Sequence, residues 1–155
     1  MKHHTKNKGD LGLMMVMADL AAHDIGVCVP LSEHMPFDLI AVSSDGKLSR
    51  IQAKYRKALN GAVVVPLRNS YADRNGSHVR LTDRSLFDAY AMYCPDTKTV
   101  YYIKNDEIPL NYTGDFTLRI IPTLNNQQKR TRMASDFEKP FRLFEMQSTM
   151  PKNSV

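Results

Sequence analysis

The chain is poor in cysteine, has no long apolar run and shows no internal repeat. Cys28 and Cys94 form no CxxC pair and no Cys/His series at zinc-ligand spacing, which excludes a disulfide scaffold and a structural zinc module. Both stand in apolar stretches and are expected as buried thiols. No stretch approaches the roughly 18 apolar residues that span a bilayer, and the polar, basic start lacks the apolar core of a secretory signal. The expectation is a protein of the cytoplasm or an organelle interior with no membrane partner. The missing repeat excludes solenoids, and a composition of 43% hydrophobic and 24% charged residues excludes disordered and collagenous chains.

What is present is enough for one ordinary core: 155 residues, read as a single domain over 1–155. The formal charge is +5, with a sequence pI near 9.2, so an acidic partner is a question to put to every later feature. That charge is unevenly placed. Residues 1–46 sum to −3, 47–84 to +7, 85–118 to −3 and 119–142 to +4. A +7 block exceeds what solubility requires.

The pattern predicts a buried helix over 10–23, apolar almost all round, with Gly9 and Asp10 at its start. A short strand is predicted at 25–29. Residues 37–42 and a run beginning at Leu48 flank the turn Ser43-Ser44-Asp45-Gly46 and read as a hairpin. A strand at 62–65 precedes a polar loop at 68–84. Residues 85–93 and 99–103 read as a further strand pair, 116–121 as the last strand, and 133–144 as a short helix stopped near Pro140. One helix followed by several strands argues for an α/β or α+β domain with a mixed sheet.

The strongest local signal is Leu48-Ser49-Arg50-Ile51-Gln52-Ala53-Lys54-Tyr55-Arg56. With period two, Ile51, Ala53 and Tyr55 share one face, and Arg50, Gln52, Lys54 and Arg56 the other. Asp38 stands in the otherwise apolar partner strand, where a carboxylate must be paired or bind a cation. Two readings follow. One is an ion pair between Asp38 and Lys54. The other is a hard oxygen site in which Asp38, the Gln52 amide oxygen and a nearby backbone carbonyl suit Mg²⁺, with Lys54 orienting water beside a phosphate.

Pro36-Phe37-Asp38 followed by Gln52-Ala53-Lys54 resembles the PD-(D/E)XK nuclease motif, with Gln in place of the usual acid. The wider set includes Lys8-Gly9-Asp10-Leu11-Gly12, Glu33-His34-Met35-Pro36-Phe37-Asp38-Leu39, and Arg119-Ile120-Ile121-Pro122 before Asn125-Asn126-Gln127. It resembles the PD-(D/E)XK homing endonucleases encoded in group I introns, over nearly the whole chain. The resemblance implies a restriction-endonuclease-like mixed sheet flanked by helices, with 111–150 as a C-terminal extension for DNA contact and oligomerisation. It implies Mg²⁺ or Mn²⁺ held by Asp38, Gln52 and the Ala53 carbonyl, with Lys54 as the motif lysine. A further acid from the first helix is expected, with Asp10 the candidate and Glu33 and Asp19 the alternatives.

Binding duplex DNA needs distributed positive charge together with groups that read base edges. The basic block offers Arg50, Arg56, Lys57, Arg68, Arg74, Arg80 and Arg84 with Asn69 and Asn75; the later segment offers Asn125, Gln127, Lys129 and Arg130. The function implied is a sequence-specific, metal-dependent endodeoxyribonuclease cutting both strands, active as a homodimer or, as in the resembled family, a homotetramer. A junction-resolving nuclease and an inactive DNA-binding or intron-splicing cofactor are the alternatives.

Overall fold

Alanine, leucine and methionine between Leu11 and Ala22, with no proline, favour a helix, and the computed structural model, which describes residues 4–32, 34–122 and 131–145, places α1 at His4–Ala22. It begins a turn and a half before the expected start, so Gly9 and Asp10 lie in its interior, not at its terminus. The polar residues ahead of Leu11 carry no apolar period, but an established helix extends at little cost per residue. Nor is α1 buried all round. Val16 and Leu20 are fully buried, whereas Met14 is 64% exposed.

Nine strands follow in the described residues: β1 (Gly26–Cys28), β2 (Leu39–Val42), β3 (Leu48–Tyr55), β4 (Ala62–Val65), β5 (Arg68–Asp73), β6 (Gly76–Leu81), β7 (Ala89–Cys94), β8 (Thr99–Lys104) and β9 (Phe116–Arg119). The main sheet has the order β1-β2-β3-β7-β8. All its neighbours are antiparallel except the β3–β7 pair, which is parallel. This is the mixed sheet of a restriction-endonuclease-like α+β fold.

Each face of that sheet buries its own core. Ile51, Ala89, Ala91 and Tyr102 pack beneath Val16 and Leu20 of α1. On the other side Tyr90, Met92, Tyr101 and Ile103 meet Val63 and Val65 of β4 and Phe116 and Leu118 of β9, which pair as a second, two-stranded sheet. The strand at 62–65 is therefore where the sequence predicts it, but outside the main sheet. A two-residue turn at Asn60-Gly61, both at positive φ, leads into it.

Three further expectations are corrected. The polar loop at 68–84 is instead a β5–β6 ribbon in register from Arg68 opposite Leu81 to Asp73 opposite Gly76. Its strands show no alternation because the described part of the ribbon is largely exposed, so a backbone ladder and the Asp73-Arg74-Asn75-Gly76 turn hold it; Asp73 Oδ1 accepts the Asn75 N–H at 2.7 Å. Cys28 is exposed on edge strand β1, while Cys94 is buried as expected. In place of one helix at 133–144 stand two 3₁₀ turns, Ala134–Phe137 and Pro140–Phe144, since Pro140 cannot donate the bond that would join them.

The helix sits so close to β3 that a Cβ on Gly12 would lie 3.0 Å from Tyr55 Cβ and 3.3 Å from the Lys54 carbonyl carbon. Backbone lines one side of that contact and cannot yield as a side chain can. Gly12→Val is expected to lower stability by about 1–3 kcal/mol, read by urea denaturation, because overpacking here displaces helix from sheet.

Candidate active site

The β2–β3 hairpin is closed by Ser43 N–H donating to the Lys47 carbonyl at 2.9 Å, with Gly46 at positive φ. From there the strands pair as far as Leu39 opposite Ile51. One step further, Asp38 N–H still donates to the Ile51 carbonyl at 2.9 Å, and then the ladder changes partner. The Ala53 N–H, which would otherwise face strand β2, donates to Asp38 Oδ2 at 2.7 Å. In a strand, the N–H and C=O of one residue point to the same edge, so the Ala53 carbonyl also faces the Asp38 side.

Gln52 and Lys54 lie opposite Tyr90 and Met92 of β7, on the face away from α1. Both are partly buried. Desolvation pushes the Lys54 pKa below its usual 10.5; Asp38 opposes that shift through its charge and Arg56 adds to it. Asp38 and Lys54 thus act on each other through space without forming a contact ion pair. Gln52 Oε1 is buried with no hydrogen-bond partner in the protein.

These are the kinds of donor that could hold a hard divalent cation: one carboxylate, one carboxamide oxygen in need of a partner, and one carbonyl facing the Asp38 side. Mg²⁺, which keeps several waters, suits so sparse a set; among the described residues no three His, Cys, Asp or Glu side chains gather as a metal site. Asp10 is exposed on α1. Asp19 is already engaged, its Oδ2 accepting the Tyr102 hydroxyl at 2.6 Å. Glu33 lies outside the described residues.

The basic residues divide by what holds them. Arg50 forms a two-pronged pair with Asp88, at 2.7 and 3.0 Å, which raises its pKa and lowers that of Asp88. Arg84 donates to the carbonyls of Ile108, Pro109 and Leu110. Arg56 and Arg68 each donate to one carbonyl, of Tyr55 and Thr113. Lys57, Arg74 and Arg80 are exposed, and among the described residues neither a hydrogen bond nor an ion pair holds their side chains, although Arg80 acts on Asp83 through its charge. Arg74 and Asn75 form the tip of the ribbon, and Asn69 lies in β5 opposite Arg80. Asn125, Gln127, Lys129 and Arg130 lie outside the described residues.

A cleft of about 380 Å³ opens beside Gln52, with Arg80, Thr82 and Phe87 in its walls. Sequence spacing singles out neither Thr82 nor Tyr90, which lies opposite Gln52. Tyr90 reads as one more apolar strand residue, and only the β3–β7 register brings it to the site.

A mixed sheet with a carboxylate at the end of one strand and a carboxamide and lysine two apart on the next is the arrangement of a nuclease of restriction-endonuclease-like fold. The chain belongs to the PD-(D/E)XK endonuclease family, whose model matches residues 3–140, and it is a nuclease by family. Its fold is similar to that of the bacterial homing endonuclease I-Ssp6803I, at 20% identity and a TM-score of 0.68 over 91% of this chain and 93% of that one. No curated protein sequence matches it.

The depressed Lys54 pKa has a sign that can be measured. Between that pKa and 10.5 the unfolded chain binds a proton the folded protein has released, so this group's contribution to stability rises with pH. Lys54→Met is expected to be the more stable protein at pH 7, and its advantage over the wild type to shrink as pH approaches 10.5, in urea melts at each pH.

Proposed function

We propose that the protein is a sequence-specific double-strand DNA homing endonuclease of the kind encoded in group I introns, hydrolysing phosphodiester bonds with Mg²⁺ or Mn²⁺. The observation that carries this reading is the Asp38 carboxylate anchored to the Ala53 N–H beside a desolvated Lys54, with Oε1 of Gln52, on the same strand, lacking any protein partner. Asp38, Gln52 and the Ala53 carbonyl would hold the cation, which supplies Lewis-acid stabilisation of charge on the phosphoryl oxygens.

The chain's own groups do the rest. Asp38 stays anchored through one oxygen to the Ala53 N–H, so its other oxygen is presented in a fixed direction. The Lys54 ammonium sits where burial strengthens its field, orienting a water for in-line attack and offsetting negative charge as the P–O bond breaks. Gln52 contributes an oxygen without adding a second negative charge against the phosphate, which weakens cation binding relative to an acid.

Duplex DNA would be held by Lys57, Arg74 and Arg80, the exposed cations around the ribbon, with Arg56, Arg68, Asn69 and Asn75 beside them. A two-stranded ribbon has the width to enter a major groove, where Arg and Asn read guanine and adenine edges. The segment containing Asn125, Gln127, Lys129 and Arg130 supplies a second contact. One chain carries one site, so cutting both strands takes at least two copies, with a homotetramer as the assembly the family resemblance favours. The compartment is that of the DNA it cuts, the cytoplasm or an organelle interior.

Selection of cleaved sites from a randomised duplex library tests this directly. Cleavage is expected at one roughly palindromic sequence, to stop with EDTA, and to fall by about 10²-fold or more in Asp38→Asn and Lys54→Met. Gln52→Glu is expected to change the preference between Mg²⁺ and Mn²⁺. Preferential cutting of a four-way junction, or no nicking with any divalent ion, would overturn the reading. Arg74→Ala and Arg80→Ala are each expected to weaken DNA binding and to reduce the slope of log affinity against log salt by about 1.

A further inference from the structure

Four side-chain oxygens of the described residues are buried without a hydrogen-bond partner in the protein: Gln52 Oε1, Thr82 Oγ1, Tyr90 Oη and Asn105 Oδ1. The last belongs to an amide whose nitrogen already donates twice, to the Arg84 and Phe87 carbonyls, and which is thereby fixed. The other three belong to residues that the sheet register and one cleft bring to the same region. Tyr90 stands opposite Gln52 in the parallel β3–β7 register and on the same face, with its ring edge-on to Phe87 at 4.9 Å between centroids. Thr82 and Gln52 line the same cleft, together with Phe87. The Thr82 hydroxyl lies within loose hydrogen-bonding reach of the Tyr90 phenol and so favours its ionisation, but outside the geometry of a formed bond, and a larger desolvation raises the phenol's pKa.

Polar atoms buried without partners are costly to leave so. A buried water needs two to four polar partners and a space of its own size; the cleft gives the space and two of the partners, Gln52 and Thr82, and Tyr90, opposite Gln52 in the β3–β7 register, is the third. We propose that Tyr90 and Thr82 are positioning residues for Gln52, acting through one buried water that accepts from the Tyr90 hydroxyl and donates to Gln52 Oε1 and Thr82 Oγ1.

The need for such a device follows from the carboxamide. A carboxylate is symmetric, and either oxygen serves a cation. A carboxamide has an oxygen end and an N–H end, and a flip would aim donors at the metal. A water donating to Oε1 uses one of its two lone pairs, leaves the other for the cation and holds the amide in one sense. Tyr90, with no exposed surface, is locked by packing and passes that rigidity on.

The inference rests on the proposed metal site and is tested apart from cleavage. Binding of Mn²⁺ alone to the full-length protein is followed by the electron paramagnetic resonance signal of the free ion, with thermal unfolding alongside. Tyr90→Phe and Thr82→Val are expected to weaken Mn²⁺ binding about ten-fold, as partners behind a ligand typically do. Thr82→Ser, which keeps the hydroxyl, is expected to bind like the wild type, and in a Gln52→Glu background Tyr90→Phe is expected to lose its effect. Wild-type Mn²⁺ affinity in Tyr90→Phe and Thr82→Val, alongside lost binding in Asp38→Asn, would overturn the water site and leave the metal site standing. Wild-type affinity in Asp38→Asn would overturn both. Should Tyr90→Phe fail to fold, the Thr82→Val and Thr82→Ser pair decides, and equal affinity in the two overturns the proposal.

Discussion

One hydrogen bond sets the geometry of the candidate site: the Ala53 N–H donating to the Asp38 carboxylate at 2.7 Å. Strand β2 begins at Leu39, so β3 runs past its partner and would present an unpaired backbone donor beyond that point. The carboxylate takes the place of the missing strand. In doing so it is fixed relative to Gln52, Ala53 and Lys54 by a single register. A slip of one residue would turn each β3 side chain to the opposite face, carrying Gln52 and Lys54 under α1 and Ile51 and Tyr55 away from it. The apolar packing of Ile51 beneath Val16 and Leu20 therefore guards the position of the polar groups on the other face.

That arrangement carries a local cost which the fold offsets elsewhere. Lys54 is charged in a partly desolvated place, and Asp38 relieves this only in part because the two do not touch. Such a poised pair differs from the contacts that hold the frame. Arg142 clamps Glu107 at 2.6 Å, Arg50 clamps Asp88 at 2.7 Å, and Arg84 ties down three successive carbonyls. The frame uses arginine, whose planar fork is matched in two places; the site uses lysine, a compact charge able to act on a phosphate or a water.

The hairpin of β2 and β3, the strand at 62–65 and the pair β7–β8 were legible because apolar runs met recognisable turn residues. The candidate site was legible at Asp38, Gln52 and Lys54 because alternation along one strand, and a short turn to the next, bring them together without distant information. What stayed hidden had other causes. The ribbon at 68–81 buries too little apolar surface in its described part to show a period, although its Asn75-Gly76 turn was a usable signal. The pairing of Arg50 with Asp88 and the placement of Tyr90 opposite Gln52 depend on a parallel contact between segments more than thirty residues apart. Cys28 looked buried among apolar neighbours, but it falls on an edge strand of three residues, where alternate side chains face outward.

Parallel strands cannot be joined by a tight turn, so the chain between β3 and β7 must leave the sheet and return. That detour contains β5 and β6, which pair with each other and with no other described strand. Its base is closed by the Thr82 N–H donating to the Leu67 carbonyl at 3.0 Å, so the tip can change without disturbing that closure. The detour thus behaves as a cassette: its tip can be rewritten without moving the strands that carry Gln52, Lys54 and Tyr90.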